Sequence, residues 1–280
     1  MKIYDDSKRV YVRQSWLGDA MICMERGRLQ TMLPEFRTGS DATIMGTAVH
    51  AAIEQVLTGA IPPSDISEAA VSALEGLKET EKWKQTNIKP ETMKPHTAAM
   101  AQTWVDHIMH KLDFGGRVEH HFNIDTERKI DINGEPYELW FSGTMDYIEP
   151  NGTIWDWKTA ARKYSQSEKQ KQSIQASVYA LASVTEGHST FDVQFNFGVM
   201  TRAANSQGQI VPVQRTGAHA KWVVEQAATL VQSATRIGYE NSWLKNDQHF
   251  LCSETWCPWW SVCKGAYVSD VEQRWSQETL

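Results

Sequence analysis

Two aspartates and a lysine stand close together near the middle of the chain: Asp146, Asp156 and Lys158. The segments 137–149 and 153–159 alternate in the two-residue period of a strand, and Pro150-Asn151-Gly152 between them is a turn signal. A three-residue loop pairs Glu149 with Thr153, and the same register carries down to Asp146 opposite Asp156. Directly opposed residues of an antiparallel pair share a face, with Cβ atoms about 4.5–5.5 Å apart. Two like charges so placed repel, and a divalent cation would neutralise both. Lys158 lies two residues beyond Asp156 and points to the same face, while Trp155 and Trp157 turn to the other. Oxygen ligands with a few waters suit Mg²⁺ or Mn²⁺. Such an ion can acidify a water and brace a phosphate while the ammonium steadies the developing charge, an inventory suited to phosphodiester hydrolysis. The tripeptide alone reads equally as a solvated ribbon face, because Asp6-Ser7-Lys8 and Glu127-Arg128-Lys129 repeat its pattern.

The elements around the hairpin follow from periodicity. Ser40 or Asp41 caps a helix over 42–57, where Ile44, Met45, Ala48, Val49, Ala52, Ile53 and Val56 recur at helical spacing; Gly59 and Pro62-Pro63 end it. Helices are expected near 66–83 and 95–112, a strand at 118–124, a helix at about 165–183, a strand at 192–200 and a long helix near 218–238. Residues 1–40 are mixed, with no strong period. This order predicts an α/β fold with a helical insertion at 60–112.

The chain has 280 residues, 28 Lys and Arg against 34 Asp and Glu, and a formal charge of −6. With 41% hydrophobic and 22% charged residues it is ordinary globular material, neither disordered, collagenous nor coiled coil. A length of 280 predicts one large domain over 1–280. No stretch approaches the roughly 18 apolar residues of a membrane span, and Met1 to Val10 is too polar for a signal peptide, so a cytoplasmic protein without membrane contact is expected. Four cysteines are too sparse for a disulfide scaffold. The acidic balance argues against an indiscriminate nucleic-acid coat but leaves a local basic field open. From Lys158 to Lys171 the chain carries Lys158, Arg162, Lys163, Lys169 and Lys171 against Glu168 alone, a footprint for phosphates or a solvated helix face. Tyr164 and Tyr179 could stack on bases. There is no phosphate-binding loop of an ATP motor, no nucleophile elbow and no dinucleotide fingerprint.

Gly143-Thr144-Met145-Asp146, Asp156-Trp157-Lys158 and Gln175-Ala176-Ser177-Val178-Tyr179 together resemble the PD-(D/E)XK nuclease superfamily. The likeness is to its RecB-like branch, which includes CRISPR-associated adaptation nucleases and AddB-type subunits; Gly46-Thr47-Ala48-Val49-His50 matches that branch's Gly-x-x-x-His helix. The resemblance spans about 15–265 and implies a restriction-endonuclease-like core, a mixed central sheet flanked by helices. It implies that His50, Asp146, Asp156 and the Trp157 backbone carbonyl hold Mg²⁺ or Mn²⁺, with Lys158 as the catalytic lysine. Gln175 and Tyr179 would position nucleic acid, with Arg162 and Lys163 as further DNA contacts. The residues themselves also allow a hydrogen-bonded core histidine at His50 and ordinary packing at Gln175 and Tyr179. Glu54 and Glu119 are accessory candidates; Glu54 either orients His50 or is simply exposed. The neighbouring His120 and His121 read as surface residues.

Some members of this branch hold a [4Fe–4S] cluster with one cysteine before the histidine helix and three at the far end. Cys23, Cys252, Cys257 and Cys263 match that arrangement, except that four residues separate the first tail pair where two are expected. The resemblance therefore implies an iron–sulfur-stapled tail at 240–265 packed on the 15–30 segment, shielded by Trp256, Trp259 and Trp260. Zinc is the rival ion, although its sites favour paired short knuckles and Cys23 stands isolated. The function implied is a metal-dependent DNA exonuclease acting on single strands or ends in recombination, repair or spacer processing, in a prokaryotic cell or phage. Candidate partners are a helicase, an annealing protein or an integrase. Alternatives are a non-catalytic DNA- or partner-binding module, or a nuclease of RNA or flap structures.

Overall fold

The computed structural model describes residues 1–265; residues 266–280, the end of the expected 1–280 domain, lie outside the described residues. One strand, β6 (Glu135–Ile148), organises the sheet. β5 (Arg117–Ile132) pairs with it antiparallel through a hairpin at Asn133-Gly134, whose φ values of 56° and 85° suit that tight turn. β6 has two further partners. β2 (Arg9–Arg13) runs parallel to residues 138–142, whereas β7 (Ile154–Ala160) pairs only with Tyr147 and Ile148. Gly143 to Asp146 thus face a fork where the sheet opens.

Beyond β7 the sheet continues through β8 (Val193–Thr201), parallel to β7, and β9 (Gly208–Arg215), antiparallel to β8; β1 (Lys2–Tyr4) closes the other edge on β2. A two-stranded accessory sheet joins β3 (Gly39–Ser40) to β4 (Trp83–Lys84). α3 (Asp41–Leu57), α4 (Ile66–Thr80) and α5 (Pro90–His107) cover one face; their buried Ile44, Met45, Leu74, Met100 and Trp104 pack with Tyr147, Trp155 and Trp157. On the other face, α1 (Gln14–Ile22), α7 (Ile174–Thr185) and α8 (Gly217–Ile237) bury Trp16, Ala176 and Val223 with Phe122, Phe141, Phe195 and Phe197. α2 (Met24–Met32) and α6 (Gln166–Gln172) complete the helices.

The expected hairpin, both later strands and the helices after residue 40 are present. The single helix expected over 165–183 is instead two, because the Ser173 hydroxyl accepts from the Ala176 amide and restarts the chain as α7. The unperiodic first 40 residues hold strands of three and five residues, too short to display alternation. β9 carries Pro212, tolerated because β9 is an edge strand.

The tryptophans that turn away from the hairpin's acidic face form a platform. Trp155 stacks on Trp157 at 5.8 Å, and Trp104 meets Trp157 edge-on at 5.6 Å. Gly198 is registered opposite Trp157, and a Cβ there would stand 2.7 Å from its ring. Substituting Gly198→Ala must displace the ring beside the proposed site, and is expected to cost about 1–3 kcal/mol of stability. Denaturant unfolding of wild type and variant measures it, with an unchanged midpoint as the contrary result.

Candidate active site

α3 supplies the first donor. Ser40 and Thr43 exchange the two hydrogen bonds of a capping box at its N-terminus. Buried Asp41 accepts from the backbone amides of Thr86, Asn87 and Ile88 and from the Thr86 hydroxyl, fixing the segment before α5 to the helix start. Burial alone would raise the Asp41 pKa, but these hydrogen bonds overcome it and hold the carboxyl below its usual value. The apolar stripe of α3 is buried, and His50 rises at its border. Gly46, one turn earlier, brings the helix against β7, where a Cβ would lie 2.8 Å from the Thr159 hydroxyl.

Asp146 and Asp156 stand in the predicted register, one step beyond the Tyr147–Trp155 pair, but the ladder has already ended there. The Asp146 carboxylate fills the gap, accepting from the Trp157 amide at 2.6 Å. Its Oδ2 also lies 3.5 Å from His50 Nδ1. Asp156 is 1% exposed; one carboxylate oxygen is paired with Lys158 and the other accepts from Gln175 Nε2 at 2.6 Å.

The three donors that converge are His50, Glu119 and Asp146, whose ligand atoms all lie within 4.8 Å of one another. Glu119, expected only as an accessory, therefore holds a central place. Counting from the Asn133-Gly134 turn puts His121 opposite Asp146; the bulge between Asp125 and Lys129 shifts the register by two and brings Glu119 there instead. Glu119 itself has φ 47°, a left-handed conformation no sequence period reveals. A groove of about 470 Å³ opens over this trio, lined also by Thr47, Glu54 and Lys158. Glu54 is exposed on its wall, one turn beyond His50.

The electrostatics are those of a cation site. Burial raises Glu119 to about 7, aided by Asp146, Glu54 and Asp156. Burial likewise lifts Asp146 and Asp156 to about 6, against the pull of Lys158. Burial would lower Lys158, but the two aspartates win and its pKa is raised, so it stays an ammonium. His50 falls to about 4 through burial and the Lys158 charge, leaving a neutral imidazole with a lone pair to donate. A hydrogen bond to the Trp157 backbone partly offsets that fall. These residues fit a hard divalent ion with mixed oxygen and nitrogen ligands.

Other expected residues are placed less directly. Gln175 donates to Asp156 and to the Tyr179 hydroxyl. Tyr179 is buried, edge-on to Phe122, so its ring cannot stack on a base as expected. Tyr164 is occupied as well, with Lys169 Nζ 4.2 Å from its ring centre and Phe197 beside it. Arg162 and Lys163 are exposed in the loop that leaves β7.

The four cysteines, 240 positions apart at their extremes (Cys23 to Cys263), line a single pocket with Leu29 and Trp260. Among the described residues no three of their sulfurs lie within 4.8 Å of one another. Trp259 is buried beside Cys257 and Leu29, whereas Trp256, expected to shield the cysteines, is exposed. Two segments distant in sequence are joined by a buried acid: Glu25 holds Arg28 through two bonds of 2.8 and 2.7 Å and accepts from the Trp243 amide.

A forked mixed sheet with acidic, imidazole and ammonium groups at its opening, covered by helices on both faces, defines a nuclease fold of restriction-endonuclease type. The family model of the PD-(D/E)XK nuclease superfamily matches residues 25–264, and the chain belongs to that superfamily. A solved protein from Eubacterium rectale, assigned as an exonuclease, shares the fold with a TM-score of 0.52 at 11% identity, over 90% of this chain and 92% of that one. A second solved protein, SSO0001, is 13% identical over 94% and 89% of the two chains, with a TM-score of 0.39. No curated protein matches. The chain is a nuclease, and members of its family generally use divalent metals, for which the trio of His50, Glu119 and Asp146 is suited. Among the described residues no helix is long and apolar enough to cross a membrane.

The raised carboxyl values set a pH dependence. Glu119, Asp146 and Asp156 favour their protonated forms when folded, so they stabilise the metal-free protein at low pH. That stability is lost as pH rises through about 6 to 7. A divalent ion binds the ionised forms and offsets the loss. Differential scanning fluorimetry should therefore show a larger rise in Tm with Mg²⁺ or Mn²⁺ at pH 8 than at pH 5.5; equal rises would contradict the cation site.

Proposed function

We propose that the chain is a divalent-metal-dependent DNase, an exonuclease acting on single strands or DNA ends. The observation that carries it is the convergence of His50, Glu119 and Asp146 at the sheet fork, with the Asp156–Lys158 pair directly beside them. When bound, Mg²⁺ or Mn²⁺ supplies positive charge at the scissile phosphate. His50 donates its neutral nitrogen, Asp146 and Glu119 their oxygens, and the Trp157 carbonyl is held close by α3. Asp156, locked by Gln175, aims the Lys158 ammonium into the groove. There the Lys158 charge faces the phosphate oxygens and offsets the negative charge that builds as the ester breaks. Gln175 and Tyr179 act as positioning residues through Asp156, and Arg162 and Lys163 meet phosphates outside the groove.

A nucleic-acid strand has a second surface to follow. A larger groove of about 1290 Å³, bounded by Lys2, Tyr11, Arg13, Arg37, His121 and Asn123, reaches Gly143 at the fork. Basic and aromatic side chains along one channel suit a flexible single strand, binding its backbone and stacking its bases.

The four cysteines are read as ligands of a [4Fe–4S] cluster. One zinc ion with bonds of about 2.3 Å would draw its sulfurs to about 3.8 Å, whereas a cluster carries each thiolate on a separate iron and spreads them. Four sulfurs lining one pocket support a group shared by all of them. The whole described chain is then one nuclease domain, with α4 and α5 as its helical insertion and 240–265 stapled to 15–30. A cellular or phage recombination or repair role follows from the same reading, with a helicase, annealing or integrase protein as partner.

Single changes Asp156→Asn, Lys158→Ala or Glu119→Gln are expected to lower cleavage of end-labelled single-stranded DNA in Mg²⁺ or Mn²⁺ by about 100-fold or more. Undiminished cleavage by any of the three removes that residue from the centre. Wild-type protein that binds DNA without cutting it would identify a binding module, and preferential cutting of RNA or flap oligonucleotides would reassign the substrate. Anaerobically purified protein should absorb near 400 nm and lose this band on Cys257→Ser; a colourless protein holding one zinc per chain would overturn the cluster.

A further inference from the structure

One residue along β5 from Glu119, His120 takes part in a separate cluster. Its Nε2 lies 2.7 Å from Glu186 Oε2, at the C-terminal end of α7, and the same oxygen lies 3.6 Å from His188 Nε2. The two imidazole rings meet edge to face at 5.2 Å. We propose that His120, Glu186 and His188 form a second metal site that takes a first-row divalent ion, zinc foremost, and clamps β5 to the end of α7. It uses none of the residues assigned to cleavage.

The donor geometry fits. All three ligand atoms lie within 4.8 Å of one another. Tetrahedral zinc with bonds of about 2.0–2.1 Å sets its donors about 3.4 Å apart, between the two separations observed. A hydrogen-bonded pair accounts for His120 and Glu186, but His188 Nε2, buried and 3.6 Å from the same carboxylate oxygen, has no hydrogen-bond partner. A buried ring nitrogen left unpaired is costly, and a shared cation satisfies it together with the other two donors. Burial, with Arg117 and His120 nearby, lowers the His188 pKa and keeps the ring in its ligating form.

The backbone holds this trio in place before any ion arrives. His120 sits in the β5–β6 ladder opposite Met145. The Glu186 amide donates to Ala182 and the His188 amide to Ser183, at 2.9 and 2.8 Å. The β6–β7 turn closes on the loop, since a Cβ on Gly152 would lie 2.5 Å from the His188 carbonyl oxygen. Two imidazoles and one carboxylate leave the remaining coordination positions to water. The ion would couple the strand carrying Glu119 to the helix carrying Gln175 and Tyr179.

Equilibrium dialysis of the full chain against about 1 µM zinc in excess Mg²⁺, followed by metal analysis, tests the site. Wild type should retain one zinc equivalent more than Glu186→Gln or His188→Gln, while Glu119→Gln in the catalytic groove retains it. Wild type should also gain a zinc-dependent rise in Tm that Glu186→Gln lacks. Glu186 is exposed, so its variant is expected to fold, and far-UV circular dichroism checks this. Equal zinc content in wild type and Glu186→Gln overturns the proposal, and so does a zinc-dependent Tm rise that the variant preserves.

Discussion

Acidic groups buried at the opening of a sheet constrain the rest of the molecule. Asp156 is almost fully enclosed, Asp146 nearly so, and Glu119 half-buried beside them, with one ammonium and no other full positive charge among the groups that shift their pKa values. Desolvating a carboxylate is expensive unless it is paired or protonated. Lys158 and Gln175 satisfy Asp156, and the Trp157 amide satisfies half of Asp146. What is left over is negative charge aimed at a neutral imidazole, which is a demand for a cation.

The fork in β6 creates this demand. A strand paired along both edges would have spent the Trp157 amide on the ladder and left no room for a side chain. Because β2 ends its pairing at Ser142 and β7 begins at Tyr147, four residues are free to turn a carboxylate into the gap. The tryptophan platform beneath β7, admitted by Gly198, keeps Asp156 and Lys158 from rotating away, and the close approach at Gly46 brings His50 down onto them. Rigid elements on three sides thus preorganise the groove, and charge need not be gathered at the moment of reaction.

Two segments distant in sequence, around residues 23–28 and 239–263, meet at a second contact. Glu25 and Arg28 reach across to Trp243 and Tyr239, and the cysteine pocket closes over the same contact. A buried ion pair offers little net stability by itself, but it fixes which surfaces meet. It sets Cys23 against the tail cysteines, which sequence separation alone would leave unrelated.

The sequence by itself determined the hairpin, the register of Asp146 against Asp156, the helix that carries His50 and the turn of Trp155 and Trp157 away from the acidic face. Each of these follows from a local period, a cap or a turn, and local rules are written in consecutive residues. Tertiary structure alone decided the fork, the rank of Glu119, the enclosure of Tyr179 and the meeting of Glu186 with two histidines. These depend on a bulge that slides one strand by two residues, on a left-handed backbone at Glu119, and on contacts between distant residues such as His120 and Glu186, 66 positions apart. Packing of the whole core fixes such features, and no short window of sequence contains that energy.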